Sequence, residues 1–228
     1  APLTRKSTTL EHYLEHEPRF AHLAYIDPDA RSLFFMINTY IAKSQSYLAL
    51  TKFHTMVAAK KAAYEKWRAG SNYISNTLLE EAFQSNTGIA LGTTLSNAGS
   101  VGPMLAKLKE TGYRIELILC AADEEVRMQA LHQREEEQKI VQVTPEDMKD
   151  KLGLFIDRIP THFQYADKIY LHYSTSIKDN YECAATIDFT AKKIAIRHEE
   201  KYKLFARHYD EKRQPKAPAW AVLTKDFK

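Results

Sequence analysis

The feature that bears hardest on the fold is an alternation of short apolar runs with longer segments of helical spacing. The clearest run is Tyr113 to Ala121, with Ile115, Leu117, Ile118 and Leu119 in close succession. Ahead of it, Pro103 opens a helical stretch, MLAKLKET, that Gly112 ends; behind it, Glu124 to Gln138 is charged and helical. Further short runs read as strands at Phe20 to Ile26, Gly88 to Gly92 and Lys168 to Tyr173. Strands separated by helices need crossover connections, which give a parallel sheet with helices packed on it. The expectation is therefore an α/β fold. With 228 residues and 44% hydrophobic content, the chain can bury one substantial core.

The helical segments fill in the order of elements. From Ser7 the chain places Leu10, Tyr13 and Leu14 at helical spacing until Pro18 stops it. Residues 43 to 69 carry Tyr47, Leu50, Met56, Val57, Tyr64 and Trp67 at intervals that suit one long amphipathic helix, closed by Gly70. A second helix covers Asn76 to Gln84. Thr144-Pro145-Glu146-Asp147 has the composition of a helix start, with a capping Thr, Pro at the first position and acids in the first turn. That helix is predicted to run to about Arg158. After Ser174 the character changes to a strand at Ala184 to Phe189, a basic helical stretch at Lys192 to Tyr209 and a Pro-containing coil ending in Trp220. These boundaries give a main domain over 1–174 and a C-terminal extension over 175–228.

Composition narrows the function classes. Charged residues make up 27% of the chain and its net charge is +3, which fits neither disorder nor a strongly basic nucleic-acid binder. No apolar run approaches the ~20 residues that span a bilayer, and nothing at the start reads as a secretion signal. Cys120 and Cys183 lack metal-ligand spacing, and Cys120 lies inside an apolar run, which suits a reduced thiol. The default expectation is a soluble cytoplasmic protein.

Four places can carry chemistry. Lys6-Ser7-Thr8 opens a predicted helix, where backbone N–H groups cradle phosphates, a lysine reaches them and a hydroxyl ligates Mg2+. The plain alternative is a helix cap. Asp27-Pro28-Asp29-Ala30-Arg31 follows a strand, at the carboxyl end where open α/β sheets bind ligands. There a carboxylate can take a proton from a substrate hydroxyl; an ordinary Asp-Pro turn is the alternative. Gly92-Thr93-Thr94 also follows a strand and offers hydroxyls and amides to a substrate, or is a common loop. Arg127 and Arg134 share one helix face, either aimed at a phosphoryl group or forming a solvated surface.

Taken in order, these segments resemble the zeta-toxin family of P-loop kinases from Lys6 to about Ser174. The most specific stretches are AYIDPDAR, the sequence from GTTLSN through LKETGYRIELILCAA to MQALHQREEE, and IPTHFQYADKIYLHY. The resemblance implies a P-loop kinase-like parallel sheet, ATP and Mg2+ as cofactors, and phosphorylation of a hydroxyl on a small nucleotide-type substrate. Zeta toxins act on UDP-N-acetylglucosamine and related nucleotide sugars, and related bacterial effectors act on other nucleotides including NAD. Carried over by position, Lys6 is the P-loop lysine, Ser7 the Mg2+-binding hydroxyl and Asp29 the catalytic base, with Arg31 close behind. Thr93 matches a substrate-contacting threonine and Arg134 a phosphate-binding arginine. Asp27 and Thr94 flank the substrate positions, and Thr8 and Arg127 the ATP phosphates. A toxin or effector role follows, with a neutralising antitoxin or chaperone as partner and, for an effector, delivery into a host cell.

Three positions depart from the family pattern: Arg5 replaces the loop glycine, Leu91 the glutamate before Gly92-Thr93, and Gln142 a second arginine. The strand that precedes a P-loop has no counterpart ahead of Lys6, and missing upstream sequence is the expected reason. These departures keep a rival open, a catalytically lapsed kinase-like scaffold that works by binding a protein partner. A polynucleotide kinase is a third reading, poorly served by a net charge of +3.

Overall fold

The computed structural model describes residues 4, 6–29, 36–50, 55–95, 98–137, 144–179 and 182–228. They form two compact units, one of residues 1–6, 94–129 and 145–228, the other of 7–93 and 130–144. The chain has the expected α/β architecture, with parallel strands and flanking helices.

In the first unit, β3 (Glu116–Ala122) and β4 (Lys168–Ser174) pair in parallel, from Glu116 opposite Lys168 to Ala122 opposite Ser174. Both strands are almost continuously buried, as parallel strands covered on both faces must be. Between them run α5 (Glu124–Glu137) and α6 (Pro145–Tyr165), the crossover that a parallel pair requires. Strand β5 (Ala185–Asp188) then pairs antiparallel with β4, and β6 (Lys193–Ile196) antiparallel with β5. Residues beyond 174 thus extend this same sheet. Phe205 and Tyr209 of α7 (Glu199–Lys212) and Trp220 of α8 (Trp220–Leu223) join Leu117, Leu119, Ile169 and Leu171 in one core. The basic stretch after Lys192 therefore begins as a strand and turns helical only at Glu199.

Helix α4 (Ala98–Glu110) starts upstream of Pro103, which the helix accommodates in its interior. It ends at Gly112, whose φ of +85° lets the Gly112 and Tyr113 amides bond back to the Lys109 and Leu108 carbonyls. Helix α6 runs through Pro160 to Tyr165, past the expected stop near Arg158. Its stripe of Met148, Leu152, Phe155, Ile156 and Ile159 is buried, and that packing outweighs the one backbone bond lost to proline.

In the second unit, β1 (Ala24–Ile26) pairs in parallel with β2 (Ile89–Leu91). Both strands are shorter than the sequence suggested; a 3-10 turn at Pro18–Phe20 takes up the residues before β1. Helix α1 (Lys6–His16) begins where Lys6-Ser7-Thr8 predicts. The single helix expected over 43–69 is two, α2 (Ile37–Ala49) and α3 (Met56–Gln84), and α3 passes straight through Gly70. Gly70 does not end the helix; a Cβ there would lie 2.7 Å from the Met36 side chain, so the residue serves close packing. Thr55 caps α3 by accepting the Ala58 amide. No described helix is long and apolar enough to cross a membrane.

Candidate active site at the end of strand β1

The register of β1 on β2 sets Ile26 opposite Leu91, so the residues that leave the two strands, Asp27 and Gly92, emerge side by side. The Gly92 amide closes the pairing on the Ile26 carbonyl at 2.8 Å. The Asp27 carboxylate lies flat against Gly92: a Cβ built there would stand 2.0 Å from Asp27 Oδ2. The glycine ahead of Thr93 is thus dictated by the carboxylate packed on it.

Asp27 is 1% exposed, and a buried carboxylate needs donors. Its Oδ1 accepts the Asp29 amide at 2.8 Å, and its Oδ2 accepts the Tyr25 and Ser7 hydroxyls, each at 3.3 Å. The first of these bonds is an Asx-turn with Pro28 at its centre. The expected Asp-Pro turn therefore exists and performs a second task, locking the two carboxylates into one rigid unit. The Ser7 bond ties that unit to the first turn of α1, where unpaired backbone N–H groups gather.

Asp29 faces α3. Its Oδ1 accepts the Tyr64 hydroxyl at 3.0 Å and forms an ion pair with Arg68 Nη2 at 3.0 Å. Burial, and then the neighbouring Asp29 carboxylate, push the Tyr64 hydroxyl well above the usual phenol range, so it stays a donor. The second guanidinium nitrogen, Nη1, donates to the Pro28 carbonyl at 3.3 Å and to Ser71 Oγ at 2.6 Å. Beneath the pair lies fully buried Tyr40, its ring 6.2 Å from that of Tyr64.

Of the residues singled out from sequence, the structure brings together Ser7, Asp27 and Asp29, with Gly92 against them. Thr93 and Thr94 are half-buried and follow Gly92 along the chain; Lys6 is half-buried at the start of α1, and Thr8 is exposed. Arg127 departs from the solvated-surface reading: at 2% exposure its Nη2 donates to the Met148 carbonyl at 2.7 Å, and burial lowers its basicity. Arg5, Arg31 and Gln142 lie outside the described residues, as does the side chain of Arg134. Sequence reasoning missed Tyr64, Arg68 and Ser71. A signal existed: their spacing puts them on one face of α3, a polar patch in a helix read only for its apolar periodicity.

An oxygen-only set of Ser7 hydroxyl and Asp27 carboxylate suits a hard cation such as Mg2+, which binds through one or two carboxylates and keeps its waters. A helix N-terminus beside it suits a phosphate.

Comparison with known proteins bears on the fold and the family. No protein of curated function matches the sequence. Among solved structures, the native AvrRxo1-ORF1:-ORF2 complex is similar at 13% identity and a TM-score of 0.53, over 98% of this chain and 71% of that one. The AvrRxo1-ORF1:-ORF2 structure with ATP is similar at 12% identity and 0.50, over 98% and 80%. At such identities the likeness establishes the fold. The Zeta toxin family profile matches residues 49–169, beginning downstream of Asp27 and Asp29, whose assignment rests on the geometry above. Covering more than half of the chain, from the end of α2 into β4, that match together with the shared fold makes the protein a member of the zeta-toxin family.

Proposed function

We propose that this chain is an ATP-dependent phosphotransferase that phosphorylates a hydroxyl of a small nucleotide-type substrate, a nucleotide sugar or a dinucleotide, in the service of a toxin or effector role. The observation that carries the reading is the linked trio of Ser7, Asp27 and Asp29: a helix-start hydroxyl on one carboxylate, and a second carboxylate fixed two residues away. Family membership and the ATP-containing AvrRxo1-ORF1:-ORF2 relative support it.

In this reading Lys6 and the first amides of α1 hold the ATP phosphates, and Ser7 with Asp27 holds Mg2+. ATP would supply the phosphoryl group, and Mg2+ held there would supply positive charge against the transferring phosphoryl oxygens. Asp29 receives the proton of the acceptor hydroxyl as the new O–P bond forms and ADP departs. Thr93, Thr94 and Arg31 serve to orient the acceptor, and Arg134 to steady the transferring group. Positioning and fixed charge do most of the work in such a site. A protein partner of antitoxin or chaperone type belongs to the same proposal, supported by relatives solved as ORF1:ORF2 complexes.

The test is transfer of label from γ-labelled ATP, with Mg2+, to a panel of UDP-N-acetylglucosamine, other nucleotide sugars and NAD, beside Asp29→Asn. Transfer to one acceptor that vanishes in Asp29→Asn, while ATP still binds, is the expected result. Unchanged turnover in Asp29→Asn removes Asp29 from the mechanism. Silence across the panel overturns the kinase reading in favour of a lapsed scaffold.

A further inference from the structure

A base is useful only if its oxygens point where the proton arrives, and an aspartate on a turn has two side-chain torsions free to wander. Asp29 is held asymmetrically. Both of its side-chain partners, the Tyr64 hydroxyl and the Arg68 guanidinium, converge on Oδ1, each at 3.0 Å. Among the described residues Oδ2 has no partner.

The arrangement differs from what an ion pair built for stability would adopt. Arginine and carboxylate prefer a two-pronged union in which both oxygens are used. Here the fork is split: one prong goes to Asp29 Oδ1, and the other to the Pro28 carbonyl and Ser71 Oγ. Ser71 Oγ in turn donates to the Arg68 carbonyl at 3.0 Å, which anchors the stem of the arginine to its own helix. The guanidinium therefore grips the backbone of the turn and one oxygen of its carboxylate together. The side chains are 19% and 31% exposed, and ion pairs reached by solvent contribute little to stability. Orientation is what the split fork supplies.

We infer that Arg68 is a positioning residue for the base: with Tyr64 it holds Oδ1 of Asp29, so that Oδ2 is the oxygen presented to the acceptor hydroxyl. The inference rests on the kinase reading above and adds a residue to it. Losing Arg68 frees the carboxylate to rotate and leaves the Pro28 carbonyl without its donor, whereas the phosphate side of the site, at Ser7 and Asp27, keeps its own bonds. Turnover should suffer and ATP binding should not.

The experiment compares wild type, Arg68→Met, Arg68→Lys, Tyr64→Phe and Asp29→Asn. Labelled transfer from ATP to UDP-N-acetylglucosamine and to NAD is measured, with a thermal melt for each protein. Arg68→Met is expected to lower kcat by about tenfold or more while KM for ATP stays within about twofold, because a misplaced reacting group costs rate rather than affinity. Arg68→Lys should recover part of the loss. A wild-type kcat in Arg68→Met overturns the inference. If the melt shows that Arg68→Met does not fold, Tyr64→Phe decides: a reduced kcat at constant KM supports the assignment and a full kcat overturns it. A wild type without transfer sinks the kinase reading itself. Transfer that needs Asp29 but ignores Arg68 sinks only this inference.

Discussion

His162 ties the stability of the first unit to pH. It sits on α6 with a fully buried side chain, and neither ring nitrogen meets a partner at hydrogen-bonding geometry among the described residues. Burial holds its pKa at about 4 against the ordinary 6.5, the nearby Leu95 backbone opposing that shift only in part. In the unfolded chain the ring takes up a proton below pH 6.5; in the folded chain it does so only below about 4. The neutral ring's contribution is therefore intact above 6.5 and is lost as pH falls from 6.5 to 4. Linkage over that window gives a loss on the order of 2 kcal/mol between pH 7 and pH 4.5 from this one group. The assay is urea denaturation followed by circular dichroism at both pH values, for wild type and His162→Leu. His208, also lowered to about 4 by burial and then by Arg127, titrates in both proteins and cancels from the difference. The wild type should lose on the order of 2 kcal/mol more than the variant on acidification. Equal losses in the two proteins would refute the argument that a neutral, buried His162 is what acid disrupts.

Two further substitutions probe the site. Gly92→Ala drives a methyl group into the Asp27 carboxylate, and should destabilise the chain by about 1–3 kcal/mol while reducing transfer; an unchanged melt would mean that the carboxylate does not rest on Gly92. Ser7→Ala removes the hydroxyl that shares Asp27, and should raise the Mg2+ concentration needed for half-maximal transfer on the order of tenfold. An unaltered Mg2+ dependence would take Ser7 out of the metal site.

Much of the fold could be read locally. Gly112 stops α4 because the left-handed turn needs a glycine, Pro145 opens α6, and the apolar run before Ala122 can only be a buried strand. These signals act within a few residues, so sequence carries them. Where the reading failed, a distant contact overruled a local rule. Gly70 ends no helix because Met36 packs on it, and Pro160 sits inside α6 because the buried stripe around Ile156 and Ile159 holds the helix together.

The candidate site divides along the same line. Sequence alone determined that a helix-start Lys6-Ser7, an Asp27-Pro28-Asp29 turn after a strand and a Gly92-Thr93 after another would be present, and that their order resembles zeta toxins. Tertiary structure decided which of them meet. The parallel register of β1 on β2 sets Asp27 beside Gly92, α1 brings Ser7 to the same carboxylate, and α3 delivers Tyr64 and Arg68 to Asp29. It also buried Arg127 against Met148. The physical reason is range: helix caps, turns and periodicity are set by neighbours along the chain. Which oxygen a guanidinium grips, and whether a charge is buried, depends on partners that only folding brings near.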